Sequence, residues 1–133
     1  MKRLLFIAHR VPYPPNKGER VRALHEIQAL ADHFRVTVAA LAHSPDDLAS
    51  ARGLEPFCEK VLTARAGGSV GFARGALTLL RGGSVTEGYF RSRRLARQLK
   101  AEADRDPFDV VLAYCSAALP YALAVPAPLH VAD

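Results

Sequence analysis

Apolar residues along this chain fall into two alternating rhythms. Short unbroken apolar runs occur at residues 3–8 (RLLFIA), 35–42 (RVTVAALA), 58–64 (CEKVLTA), 108–114 (FDVVLAY) and 129–133 (LHVAD). Runs of that length and composition predict strands, and the first two read as strands covered on both faces. Between them the apolar residues recur every three or four positions. From Gly18 to about His33, Val21, Leu24, Ile27 or Gln28 and Ala31 define one helix face, with Arg20, Arg22 and Glu26 on the other side. A short helix is predicted near 46–53, with Ser44 and Asp46 or Asp47 as candidate caps. Another is predicted near 70–81, bounded by two copies of GGSV that read as loop punctuation rather than a repeat. The segment 89–104, YFRSRRLARQLKAEAD, is strongly helix-forming. Leu95 and Leu99 form its apolar stripe, and Arg93, Arg97 and Lys100 line a basic flank. Pro120 and Pro126 confine a last helical piece to a short stretch after Ser116.

Strands that alternate with helices predict a doubly wound, Rossmann-like α/β domain over residues 1–133, with about five parallel strands and helices on both faces. Such sheets bind ligands just beyond the carboxyl ends of their strands. That rule directs attention to the loops starting at His9, His43, Ala64, Cys115 and Asp133.

Charge changes this picture modestly. The net charge is +5 and half of the residues are hydrophobic, with a sequence pI of about 9.6. That balance suits a phosphate-bearing ligand, an anionic membrane surface or nucleic acid. The basic helix carries Arg91, Arg93, Arg94, Arg97 and Lys100 after Tyr89 and Phe90. It reads either as a solvated helix face or as a contact for a membrane surface or polyanion. With no nucleic-acid motif present, no nucleic-acid partner is expected. The opening MKRLLFIAHR has too short an apolar run for a signal peptide, so a cytoplasmic address is expected, with peripheral contact at the inner face of the membrane left open. Cys58 and Cys115 lack metal-binding spacing and read as small buried hydrophobes.

Candidate chemistry concentrates in the first loop, HRVPYPPNKGER, residues 9–20. The P-loop, the G-x-G-x-x-G fingerprint, H-E-x-x-H and G-x-S-x-G are all missing. Instead, Pro12, Pro14 and Pro15 stiffen the chain. Asn16 is placed to cap the next helix, Gly18 lets a ligand approach the free N–H groups of its first turn, and Lys17 and Arg20 add positive charge. The loop reads either as a capped turn or as a rigid rim for an anion. His9 and Arg10 end the first strand on the same rim. His43 and His130 show no partner in the sequence.

The stretch LLFIAHRVPYPPNKGERVRALHEIQALA resembles the opening of bacterial GT-B glycosyltransferases (group 1, family 4-like). It looks closest to sugar transferases of exopolysaccharide and PEP-CTERM/exosortase systems. The pattern R-x-P-Y-P-P-x-K-G-x-x-x-R starts at Arg10, and GYFRSRRL at 88–95 is similar too. The resemblance implies an N-terminal, acceptor-side half of such an enzyme, with the donor-binding C-terminal domain absent and the piece inactive alone. It implies transfer of a sugar from a nucleotide-sugar donor, which is a substrate rather than a cofactor, to a glycan or lipid-linked acceptor. It implies no D-x-D metal and no protein nucleophile. Asn16, Lys17, Gly18 and Arg20 would face the donor diphosphate. His9 and Arg10, with Ser116 and Asp133 as weaker members, would face the acceptor. Relatives often carry two adjacent glycines where this chain has Lys17 before a single Gly18. The alternative reading is a stand-alone α/β module that binds an anionic ligand or a protein partner.

Overall fold

The computed structural model describes residues 1–13, 15, 18–65 and 93–133. The helix expected at 70–81, both GGSV copies and the first residues of the basic segment lie outside the described residues, as do Pro14, Asn16 and Lys17. The described elements run β1 (Arg3–Ala8), α1 (Gly18–Ala31), β2 (Arg35–Ala42), α2 (Pro45–Ser50), a 3₁₀ segment (Ala51–Phe57), β3 (Lys60–Arg65), α3 (Arg93–Arg105), β4 (Val110–Ala113), a 3₁₀ turn (Ser116–Ala118), α4 (Leu119–Ala124) and β5 (Leu129–Ala132).

All five strands are parallel, in the order β3-β2-β1-β4-β5. This is the doubly wound, Rossmann-like α/β arrangement that the alternation predicts. Burial follows position in the sheet. All six residues of β1 are buried, as are seven of the eight in β2, whereas all four in edge strand β5 are exposed. Central strands need apolar side chains on both faces because each face is covered. One face, built from Leu4, Phe6, Ala8, Val36, Val38 and Ala40, packs against Ala23, Leu24 and Ile27 of α1. The other, built from Leu5, Ile7, Ala39, Leu41 and Val111, packs against Leu95, Leu99 and Ala103 of α3 and Ala118 and Ala122.

Three boundaries differ from expectation for local reasons. The short helix starts at Pro45, where the Ser44 hydroxyl accepts from the Asp47 N–H at 3.2 Å, and it continues as the 3₁₀ segment rather than stopping near 53. Strand β3 starts at Lys60 instead of Cys58, because the Cys58 thiol turns back to donate to the Leu54 carbonyl at 2.8 Å. Pro120 does not limit α4. It occupies the first turn, where its missing N–H costs no hydrogen bond.

An ion cluster closes the amino-terminal ends of the strands. Arg3 on β1 is 1% exposed. Its guanidinium donates to Glu102 at 3.0 Å, to the Thr37 hydroxyl at 3.3 Å, to Glu59 at 3.3 Å and to the Asp106 carbonyl. It also lies 4.4 Å from the Phe108 ring centroid. Glu102 on α3 receives hydrogen bonds from Lys60 at 2.8 Å and from Arg105 as well. Every charge buried here has an opposite charge in contact, the condition under which burial is tolerated.

Candidate functional site

Strand order reverses between β1 and β4, because β1 continues toward β2 on one side and β4 toward β5 on the other. The crevice above that reversal is the usual ligand position in an open α/β sheet. A cleft lies there, lined by Ala8, His9, Arg10, Pro12, Arg20, Ala23 and Tyr114, with a void of ≈ 190 Å³ that includes its open mouth.

The first loop forms one wall. Val11 is fully buried, Pro12 is buried, and the Tyr13 ring lies flat against Gly53, where any Cβ would overlap it. The loop is thus anchored on the 3₁₀ segment beyond β2. Gly18 opens α1 at an exposed position where a Cβ would meet nothing within 4 Å. The fold of this chain therefore places no steric demand for glycine at 18.

Arg20 departs from the expected solvent-facing side of α1. Its side chain is only 12% exposed, it approaches Asp47 at 3.8 Å, and its Nε is buried with no hydrogen-bond partner among the described residues. The cause is helical phase. Arg20 precedes Ala23, Leu24 and Ile27 by three, four and seven positions, so it shares their inward face.

Behind this wall the loops after β1 and β2 are tied together. His43 Nε2 donates to the His9 carbonyl at 3.0 Å, and the His43 N–H donates to Asp47 Oδ2 at 2.9 Å. Burial lowers the pKa of the His43 imidazole below the ordinary histidine value, which keeps it neutral near pH 7. His43 therefore has partners that its sequence context did not indicate. His130 does too, bonding the Val125 carbonyl at 2.7 Å.

On the β4 side, Cys115 Sγ lies 3.1 Å from His9 Nδ1. Cys115 is half-buried against the α3-side core, in part the small buried hydrophobe expected, and its thiol is in addition within hydrogen-bond reach of His9. Both cysteines are free thiols. Ser116 is exposed at the start of the 3₁₀ turn.

Asp133, beyond β5, faces α1. Arg22 Nη2 donates to both of its carboxylate oxygens at 2.8 Å, and the Arg22 guanidinium lies 5.6 Å from the Tyr114 ring centroid. Glu26, one turn on from Arg22, faces the same carboxylate. Burial, then the hydrogen bond with Asp133 and its charge, push the Glu26 carboxyl up to about 7.

The structure brings together His9, Arg10 and Arg20 around the switch point, with Asp133 on its α1 flank, whereas Gly18 is exposed and outside the cleft lining. Asn16 and Lys17 lie outside the described residues. Of the basic helix, Arg93, Arg94, Arg97 and Lys100 are exposed. Sequence reasoning pointed to the loops starting at His43 and Cys115 but missed their contacts with His9, and it missed Tyr114 and the site role of Asp47. Only the phase of α1 carried a signal for Arg20.

Fold and site together define a doubly wound α/β protein with a basic, proline-walled crevice at its switch point. Compared with known proteins, the chain matches no family model, no curated protein and no solved structure. Among the described residues no helix is long and apolar enough to cross a membrane, and no cluster of three or more His, Cys, Asp or Glu is arranged to hold a metal ion.

Proposed function

We propose that this chain is the acceptor-side half of a two-domain GT-B sugar transferase serving exopolysaccharide or cell-surface glycan synthesis. The observation that carries the reading is Arg20. This cation is mostly buried in the first turn of α1, with one N–H unsatisfied among the described residues, in a cleft at the switch point. A buried guanidinium with an unused donor suits an anionic oxygen arriving at the helix N-terminus.

In this reading Gly18, Arg20, Asn16 and Lys17 face the diphosphate of the nucleotide-sugar donor. Amide dipoles and cations there would stabilise the departing phosphate as negative charge develops on it. His9 and Arg10 face the glycan or lipid-linked acceptor. Asp133 acts by holding Arg22 in place, and Ser116 lines the outer edge. The enclosed part of the cleft is only ≈ 10 Å³, room for about one water and far below the roughly 300 Å³ at which small-molecule sites begin. A second wall, from a donor-binding domain, would complete the enclosure, and the half by itself would not turn over.

The test is an amide-resolved NMR titration with uridine and guanosine diphosphate sugars, run alongside a transfer assay. Weak binding with shifts at Gly18, Arg20, His9 and Tyr114, and no turnover, supports the proposal. Turnover by this chain alone, or shifts confined to the opposite end of the sheet, overturns it. Tight binding without turnover would favour the stand-alone anion-binding module instead.

A further inference from the structure

We propose that Cys115 and His9 form a nucleophile–base pair that makes Cys115 a site of reversible thiol modification by small anionic disulfides. The inference does not depend on sugar transfer and stands or falls on the pair itself.

Three observations carry it. First, Sγ and Nδ1 are 3.1 Å apart although the residues are 106 positions apart in sequence. The sheet register creates this contact: β1 and β4 pair side by side, with Ile7 opposite Ala113, so the residues just past both strand ends emerge together. A thiol within hydrogen-bond reach of an imidazole nitrogen is the arrangement from which a cysteine nucleophile is activated. Second, the base is held in place. The His9 main chain is fixed by the hydrogen bond its carbonyl accepts from His43, so the pair is anchored at three strand ends rather than on a free loop. Third, the chain contains its own control. The Cys58 thiol is spent on the Leu54 carbonyl, and burial pushes it up to about 11, so it stays protonated and inert.

The surroundings select the reagent. His9 also lines the cleft shared with Arg10 and Arg20. Those cations favour a disulfide that carries carboxylates, such as oxidised glutathione. Among the described residues, His43 and Asp47 are further titratable groups tied to the His9 backbone, Asp47 through His43. In the reaction the Cys115 thiol proton passes to His9 Nδ1 and the sulfur attacks one glutathione sulfur. The Cys115–glutathione S–S bond forms as the reagent's S–S bond breaks. The departing thiolate takes the proton from His9 and leaves as reduced glutathione. Cys115 is oxidised and the departing sulfur is reduced.

The experiment is timed exposure of the folded chain to oxidised glutathione, quenched and read by peptide mass spectrometry at each cysteine. Cys115 should be modified on the order of tenfold or more faster than Cys58. His9→Ala and the space-filling His9→Gln, each checked for fold by circular dichroism, should slow Cys115 on the order of 10- to 100-fold. Added imidazole should restore part of the rate in His9→Ala. Equal rates at the two cysteines in the wild-type chain would overturn the proposal. So would an unchanged Cys115 rate in a folded His9 variant.

Discussion

Replacing Glu102 with glutamine tests the ion cluster under the sheet quantitatively. The hydrogen bond from Arg105, with further contributions from Lys60 and Arg3, outweighs burial and holds this carboxyl at about 2 against an ordinary 4.5. At roughly 1.4 kcal/mol per pH unit, the gap of about 2.5 corresponds to about 3 kcal/mol of stability. The folded-state value is depressed, so this contribution is complete above pH 4.5 and is lost as pH falls toward 2. Glutamine keeps the side-chain volume but removes the charge, leaving Arg3 with Glu59 and the Asp106 carbonyl. Urea denaturation of both proteins across this pH range is the assay. We expect Glu102→Gln to lose about 3 kcal/mol at pH 7, and expect the difference to shrink toward zero near pH 2. Other carboxylates titrate in both proteins and cancel in the difference. A loss below about 1 kcal/mol at pH 7, or one as large in acid as at neutrality, would refute the assignment of this charge as a stabilising element. A double replacement, Arg3→Met with Glu102→Leu, should be milder than Glu102→Gln, since it removes the two buried charges together and the partners left behind, Lys60, Arg105 and Glu59, are at least partly solvated.

Three further outcomes follow from single contacts. Gly53→Ala should displace the Tyr13 ring and cost about 1–3 kcal/mol by overpacking, visible as a lower urea midpoint and a changed near-ultraviolet tyrosine signal. An unchanged signal would mean that the ring does not rest on Gly53. Gly18→Ala should leave stability unchanged or raise it by less than about 1 kcal/mol, because its Cβ meets open space at a helix start. The same variant should weaken binding of diphosphate ligands in a titration if the first turn of α1 is where they bind. Glu26 titrates near 7, above its ordinary 4.5, so the stability it contributes is present below 4.5 and fades as pH rises through 7. Glu26→Gln should therefore flatten the decline in stability between pH 5 and pH 8 measured by urea denaturation, and an unaltered slope would assign that decline to other groups.

The sheet was legible in the sequence because burial of β1 and β2 on both faces demands the unbroken apolar runs at 3–8 and 35–42. The stripe of Leu95 and Leu99 likewise announced the buried face of α3. The same stripe, carried on to 102, also placed Glu102 inside. The identity of that residue concealed the fact, since a lone glutamate in KAEAD reads as solvated. Arg20 was hidden in the same way, by chemical type rather than by phase. Arg3 opens a strand, a position where a solvent-facing flank is the ordinary reading. The Cys115–His9 and His43–His9 contacts had no local signal at all. They depend on which strands become neighbours and in what register, and that is a property of the assembled sheet. The 3₁₀ extension through Pro56 was equally silent, because neither helical nor strand periodicity describes it.

The pairing of Arg3 with Glu102 lies at one end of the strands, and the crevice near Arg20 lies at the other. In the proposed reading, maintenance and recruitment are thus placed at opposite poles of one scaffold. In that reading, residues about the mouth could be exchanged for a different guest without loosening the charged clasp beneath, so that selection on binding and selection on staying folded would act on separate sets of positions.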